Sequence, residues 1–475
     1  MRISWGTLCM VGAIWFMLFF RITPPVSSDD DVLTILQIRE GIVIEGMEVS
    51  TPEGAAVEGN GSEEDPFVIA SIWINNTGGP GIIINGSRSH VIIKDVIITY
   101  GIWNRSDGIF ISNSTNITIV DSLVQNCYIG LHIDNTSSAQ VVGSDLSGNR
   151  YGAIIRNSAG IDVTDCTLNG NLIDGILIET SDAVIVSFCQ FVSNSARIAN
   201  DAGIRVLRSP NTMIQGCEIR MNYGTGIYMS GPMSGCTVID CDINYNNEGM
   251  VILDVRDLRV QGIEFIIDMK VMELEGLTNC TFSDITAYRN QDGLSLRDVD
   301  NCSFNRMEME GCGYGILIEG SDWNVFTNNT FRGSRTFDLT VGSPHNFSLS
   351  SDGNDFYGNR FREDSWNLPS VHDHGRDNRW HKEGTGNLWS GWEMEDSDLD
   401  GIGDTPFRIN GTSGSMDMFP RTDVERSIDP VPDDIDPVKD EDDRSGTHLL
   451  ILLSLCLLSI SILAALSLAR GSRSG

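Results

Sequence analysis

The stretch "DGILIETSDAVIVSFCQFVSNS", Asp174 to Ser195, decides the fold: a two-residue apolar alternation, a polar corner, then a second alternation. The same pattern returns in "DGIFISNSTNITIVDSLVQNCY" from Asp107, "GLHIDNTSSAQVVGSDLSGNRY" from Gly130 and "GAIIRNSAGIDVTDCTLNGNLI" from Gly152. Laid on one another, the copies put Gly81, Gly108, Gly130, Gly152, Gly175, Gly203, Gly226, Gly249, Gly293 and Gly315 in one column. Their spacing of about 22 to 28 residues is that of stacked-repeat architectures. Around Met272 the Gly column lapses.

One and three positions after each Gly stand aliphatic residues or Met: Ile109 and Ile111, Leu131 and Ile133, Ile176 and Ile178, Ile204 and Val206, Ile227 and Met229, Leu294 and Leu296, Ile316 and Ile318. This is strand periodicity. A strand of four residues cannot bury its apolar face alone, so each repeat must lie on the next with like residues stacked. Gly, Asn, Asp and Ser fill the corners, where left-handed backbone and side-chain oxygens are useful. The expected fold is all-β: a right-handed parallel β-helix, a solenoid of about a dozen coils with three short strands per turn. At about 4.8 Å per coil it would be a rod on the order of 55 to 60 Å long. Leucine-rich, ankyrin and tetratricopeptide spacings are absent.

The chain has 475 residues and a net charge of -33, with Lys scarce beside Arg. Such acidity argues against nucleic acid as a partner and suits a salt-rich exterior. After Arg2 an apolar run to Phe20 leads into "RITPPVSSDDD", which reads as a secretory signal cleaved near Ser28, or as an uncleaved anchor. Leu449 to Leu468 is uncharged and long enough to span a bilayer. Arg470 and Arg473 follow it, which puts the tail inside and the rod outside. The expected plan is a signal or anchor over 1–28, a lead-in and cap over 29–80, coils over 81–365, and a C-terminal cap over 366–420. An acidic stalk over 421–447, a transmembrane helix over 448–469 and a tail over 470–475 complete it, giving a cell-membrane protein with its ectodomain outside.

Cys166, Cys189, Cys217 and Cys241 fall in nearly one column, as a buried ladder of small side chains would. Stacked neighbours are close enough for disulfides, while their parallel side-chain vectors leave both a bridged column and a ladder of free thiols open. Sequons at Asn75, Asn85, Asn113, Asn135 and Asn410, among others, are candidate glycosylation sites. Asn also crowds such corners for backbone reasons.

The coils resemble the NosD-like group of right-handed β-helix proteins, also described as carbohydrate-binding and sugar-hydrolase domains, many from archaeal cell surfaces. "GNGSEEDPFVIASIWI" (Gly59 to Ile74) looks like that group's opening segment. "GTGNLWSGWEMEDSDLDGIGDTPFRI" (Gly384 to Ile409) looks like its closing one. The resemblance spans roughly Gly41 to Pro420 and speaks to fold more than to activity.

In the closing segment Asp396, Asp398, Asp400 and Asp404 alternate around Gly401, as in a loop wrapping a calcium ion, although Phe407 stands where an EF-hand has its last Glu. The other reading is an Asp-rich turn capping the rod, with Trp389 and Trp392 over the last core layer. "VHDHGRDNRWH" concentrates His372, His374 and His381, a candidate transition-metal set. The NosD resemblance makes copper its ion, and copper is not favoured over a polar loop.

The outward face of the strand after each Gly is where a ligand would lie. It carries His132, Asp134, Arg156, Glu179, Arg205 and Tyr228. Asp134 and Glu179 would stand two coils, roughly 9.6 Å, apart, at the outer limit for an inverting glycosidase. Arg156 between them would depress both carboxyl pKa values, against the need of a general acid. Arg297 beside Glu319 repeats the opposite-charge stacking, so a charge ladder is the better account. Asp107, Asp174 and Asp292 read as corner residues too many coils apart to act together. Catalytic residues are therefore not assigned. The leading reading is a non-catalytic surface protein that binds glycans or proteins, with a polysaccharide or surface glycoprotein as partner, or that has a cell-envelope role. The alternatives are a polysaccharide lyase or hydrolase using the outward face, and a copper-handling protein.

Overall fold

The computed structural model describes residues 36–38, 40–51, 57–75, 78–100, 106–195, 201–343, 349–362, 370–391 and 394–422. They belong to one compact unit that ends at Thr422. The expected signal segment, the stalk beyond Thr422, the C-terminal apolar helix and the tail lie outside them. Among the described residues no helix is long and apolar enough to cross a membrane.

The chain winds as a parallel β-helix. The strands that follow the Gly column, among them Ile109–Ser112, Ile129–Asp134, Tyr151–Arg156, Ile176–Glu179 and Ala202–Leu207, are neighbours in one 16-stranded sheet. We call it the first sheet. Its register carries one inward column through Ile109, Leu131, Ala153, Ile176, Ile204, Ile227, Met250, Met272, Leu294 and Ile316. Each is fully buried. A second face is built from strands such as Thr115–Val120, Ser137–Val142 and Asp182–Ser187, and a third from Leu123–Gln125, Gln190–Val192 and Glu218–Arg220. Farther on, Arg259–Ile266 runs through the corner and pairs with both Thr237–Ile239 and Asp242–Asn244.

The corners are held by side chains that repeat the backbone's own ladder. At the corner leading back to the first sheet, the amide N–H of Asn149, Asn171, Asn194 and Asn222 donates to the side-chain oxygen of Asn171, Asn194, Asn222 and Asn246 in turn, at 2.8 to 3.1 Å. Buried backbone donors must be satisfied, and a stacked amide does so once per coil. Between the second and third faces Ser122, Ser144, Cys166, Cys189, Cys217 and Cys241 share a column of the same kind. The Ser122 hydroxyl donates to Val120 O, and the Cys166 thiol, in the same geometry, to Thr164 O. The nine described cysteines are buried free thiols, so this column is the small-side-chain ladder expected from sequence.

The Gly column answers to contact, not to backbone angle. A Cβ on Gly108 would come within 2.2 Å of Val124 Cγ1, and one on Gly249 within 2.6 Å of the Phe265 ring. The lapse near Met272 follows from the same geometry. Register puts Val271 in the Gly place and Ala287 in the place of Phe265, with no break in pairing on either side. Where the third-face side chain shrinks from Phe to Ala, the Gly can grow to Val.

Two of the expected boundaries move. Coils begin well before residue 81: Ile42–Glu45 pairs with Ile82–Asn85, and Phe67–Ala70 with Val91–Lys94. They also continue past 365, since Val371–Asp373 and Asn410–Gly411 extend the first sheet. At that end one ring stack runs Phe282, Phe304, Phe326, Phe356, Trp380, and another Phe331, Phe361, Trp389, Phe407. Trp389 thus covers the core as expected, with Trp380 as its partner in the other stack; Trp392 lies outside the described residues. The indole N–H groups of Trp380 and Trp389 donate to Asp373 and Asp417, each at 3.0 Å.

Candidate ligand-binding face

Three columns face outward on the first sheet. The central one reads Phe110, His132, Ile154, Leu177, Arg205, Tyr228 in register, and the one after it Ser112, Asp134, Arg156, Glu179, Leu207. All six residues expected on this face are therefore on it. The third column precedes the Gly. Ile129 pairs with Tyr151, and Asp174 follows on the next coil.

The pairings differ from expectation. Arg156 Nε stands 2.9 Å from Glu179 Oε2, and Arg208, unanticipated, binds the other oxygen at 2.7 Å. Asp134 instead accepts from the Asn157 amide at 2.9 Å. His132 Nδ1 lies 2.9 Å from Asp107 Oδ2, one coil away, and its ring packs on Phe110 with centroids 5.0 Å apart. Arg205 Nε lies 3.2 Å from Asp174 Oδ1, and Arg205 also reaches Asp201 at 3.5 Å. Its guanidinium sits over the Tyr228 ring, 5.6 Å from the centroid. Asp107 and Asp174 are thus parts of the face, not the isolated corner residues the sequence suggests.

Centred on this face is a small apolar cluster outside the solenoid core. Ile129, Ile154 and Leu177 point outward yet are buried, packed beneath Tyr128, Tyr151 and Leu207. The two Tyr rings are 6.3 Å apart and half-buried, and Arg150 lies over Tyr128. Burial dominates the electrostatics. It pushes the Asp174 carboxyl up to about 7 against the pull of Arg205, and it raises Asp201 as well. The Tyr151 phenol is raised by burial and by the carboxylate of Asp174. A perturbed acid beside an arginine in an aromatic setting is a frequent mark of a functional site. Tyr128, Arg150, Tyr151, Asp174 and Asp201 escape a reading that starts at the strand after Gly. The visible signal is Tyr151, an aromatic directly before Gly152 where other coils place Asp107, Asp174 or Asp292.

The metal candidates separate. Among the described residues, the group of three whose ligand atoms lie within 4.8 Å of one another is Asp396, Asp398 and Asp400, which could hold a hard cation. Asp404, expected as a fourth calcium ligand, accepts from Ser397 instead. The three are themselves turned to backbone donors, Asp396 to Asp400 N and Gly401 N, Asp398 to Asp400 N, and Asp400 to Ile402 N. His372 and His374 stack in parallel at 6.3 Å, whereas His381 sets its edge against Phe419. Their ring nitrogens are not gathered into one ligand set. Of the sequons, Asn135 donates to Asn113 and Asn113 to Asn85, an outer amide ladder at a corner. Asn75 is half-buried opposite Thr99, and Asn410 is exposed beside His372.

Residues 53–201 and 130–266 match the family model of the right handed beta helix region, and residues 232–393 that of the periplasmic copper-binding protein NosD. A search of curated proteins finds no match. Similar solved structures include a periplasmic alginate epimerase, at 9% identity over 60% of this chain and 76% of that one with a TM-score of 0.40. The A-module of an Azotobacter vinelandii mannuronan C-5 epimerase shares 11% over 68% and 87%, with a TM-score of 0.38. A surface adhesin of Streptococcus pneumoniae shares 10% over 62% and 82%, with a TM-score of 0.36. The two family models overlap over 232–266 and together lie along one continuous parallel solenoid, so the chain is a right-handed parallel β-helix protein with a NosD-like segment over 232–393.

Proposed function

We propose that the outward face of the first sheet binds a polysaccharide without cleaving it. The observation that carries this reading is the external cluster of Ile129, Ile154 and Leu177 roofed by Tyr128 and Tyr151, with Phe110 and Tyr228 on neighbouring coils. Aromatic rings held on rigid strands offer flat apolar surface to the C–H faces of sugars, and the polar rim of His132, Asp134 and Arg156 offers partners to hydroxyls. Cleavage is disfavoured because a general acid must reach the glycosidic oxygen. Asp174, the carboxyl raised toward neutrality, has a side chain only 1% exposed, and Arg205 lies against it. Glu179 is held by two arginines.

The test is retention of the purified protein on a polysaccharide array, with release of reducing ends and unsaturated uronates assayed in parallel. Retention without products, lost in Tyr128→Ala and Tyr151→Ala, is the expected result. Product release would replace binding by catalysis on the same face. With the apolar run Leu449 to Leu468 as anchor, the face would be presented outside the cell. Proteolysis of the face in intact cells checks that arrangement.

A further inference from the structure

We infer that the polysaccharide this face takes is neutral, a chain without carboxylate or sulfate groups. The inference rests on the glycan-binding reading above and concerns its substrate class. Recognition of an anionic sugar uses guanidinium or ammonium groups that are free to turn to it. On this face Arg156, Arg208 and Arg205 are already committed to carboxylates of the same or adjacent coils, while Arg150 is held on an aromatic ring. Glu179 takes Arg156 and Arg208, one on each oxygen. Arg205 lies between Asp174 and Asp201. Farther along the same sheet Lys270 meets Glu273 at 2.6 Å, and Arg297 lies 3.7 Å from both Glu275 and Glu319. Arg150 rests on the Tyr128 ring, near enough to Asp201 to lower its carboxyl pKa.

A uronate or sulfate would therefore have to take a guanidinium from its carboxylate, or draw Arg150 off the Tyr128 ring. Displacing Arg205 would leave Asp174, almost fully buried, without its counter-charge, the costly way to break such a pair. Displacing Arg156 or Arg208 would leave Glu179 beside the incoming anion. A polyanion would also approach a chain of net charge -33, a repulsion strongest at low salt. A neutral sugar meets none of these costs, because the Tyr151 ring carries no cation and hydroxyls can bond the rim groups with the ion pairs intact.

The experiment measures retention of the full-length protein, solubilised in a non-ionic detergent, on neutral polymers (β-glucan, mannan) and on anionic ones (alginate, polygalacturonate, chondroitin sulfate). It is run at low and at physiological salt. We expect the neutral polymers to bind at least about tenfold more tightly than the anionic ones, a difference of one charge-assisted contact. In Glu179→Gln, which keeps the shape but releases two guanidinium groups, the ratio of anionic to neutral affinity should rise by about tenfold at low salt and fall back as salt is added. Tighter wild-type binding of an anionic polymer than of any neutral one would overturn the inference while leaving the glycan-binding reading intact. An unchanged ratio in Glu179→Gln would also overturn it. Retention of no polymer at all would bring down the binding reading itself.

Discussion

Ile176 and Leu177 are consecutive residues of one strand, and they belong to different worlds. The inward column through Ile176 is Ile, Leu, Ala, Ile, Ile, Ile, Met, Met, Leu and Ile from Ile109 to Ile316, one chemistry repeated coil after coil. The outward column through Leu177 reads Phe110, His132, Ile154, Leu177, Arg205, Tyr228, Val251, Glu273, Ser295 and Leu317, with hardly two neighbours alike. Inside, each side chain must fill the space between like coils above and below, so the stack selects one polarity and, except at Ala153, a bulky side chain. Outside, the backbone supplies rigid spacing and leaves each coil free to carry something different. Stability is written on one side of the strand and recognition on the other.

The contrast predicts where substitutions act. Phe304 lies between Phe282 and Phe326, with ring centroids 4.9 and 4.6 Å away. Phe304→Ala should open a cavity and cost about 3–5 kcal/mol in denaturant unfolding. A cost below about 1 kcal/mol would mean the stack repacks and that coils are less tightly coupled than their register implies.

Asp268 sharpens the comparison, because it is a buried acid standing in an amide ladder. Its Oδ1 accepts from Asn246 N and its own N–H donates to Asn290, while Oδ2 has no partner. In Asn246 and Asn290 the corresponding NH2 group donates to the carbonyls of Ile219 and Phe265. Burial pushes the Asp268 carboxyl up to about 8. The folded state thus keeps its proton where the unfolded chain, with a pKa near ~3.9, has lost it. Its contribution is full below about pH 4 and is lost progressively as pH rises to about 8. Asp268→Asn should remove that slope. The variant and wild type should unfold alike near pH 4, and at pH 9 the variant should be more stable by about 5 kcal/mol. Equal pH profiles would show that the Asp268 carboxyl titrates alike in the folded and unfolded chain.

The exchange of Gly and Phe for Val271 and Ala287 gives a smaller, paired effect. Ala287→Phe puts a ring against the Val271 side chain, overpacking that coil by about 1–3 kcal/mol. Adding Val271→Gly should recover most of it, since the pair then repeats Gly249 and Phe265. A double-mutant cycle in urea measures the coupling, and purely additive costs would show that the two positions do not share space.

Much of the interior was legible in the sequence for the reason just given: like residues stack on like, so the Ile columns, the Gly column and the Cys166 to Cys241 ladder appear as vertical agreement between repeats. The face was legible only in part. His132, Asp134, Arg156, Glu179, Arg205 and Tyr228 follow from strand alternation alone, but their partners do not. Asp107 meets His132 across a coil boundary, Arg208 reaches Glu179 from a corner, and Asp201 lies in another corner connection. Those pairings depend on rotamers and corner paths that no repeat enforces. The same limit explains the cap, where Asp396, Asp398 and Asp400 gather but Asp404 turns to Ser397.

The mildest substitutions for stability separate two aromatics that lie outside the solenoid core. Trp323 is 65% exposed at a corner with φ of 59°, its ring lying against Gly353. A bulky residue in left-handed backbone is strained by about 1 kcal/mol, which Gly relieves. Tyr151, half-buried, covers Ile154 and Leu177 from outside the core. Trp323→Gly should leave the unfolding midpoint within about 1 kcal/mol and leave polysaccharide retention unchanged. Tyr151→Ala should cost no more than about 1 kcal/mol of stability, since no interior layer is opened, yet reduce retention by about tenfold or more. If the two variants lost retention equally, recognition would be spread over any exposed ring on the solenoid, and the first sheet would have no special claim to it. A loss confined to Tyr151→Ala would tie binding to the one face where the outward columns break the repeat.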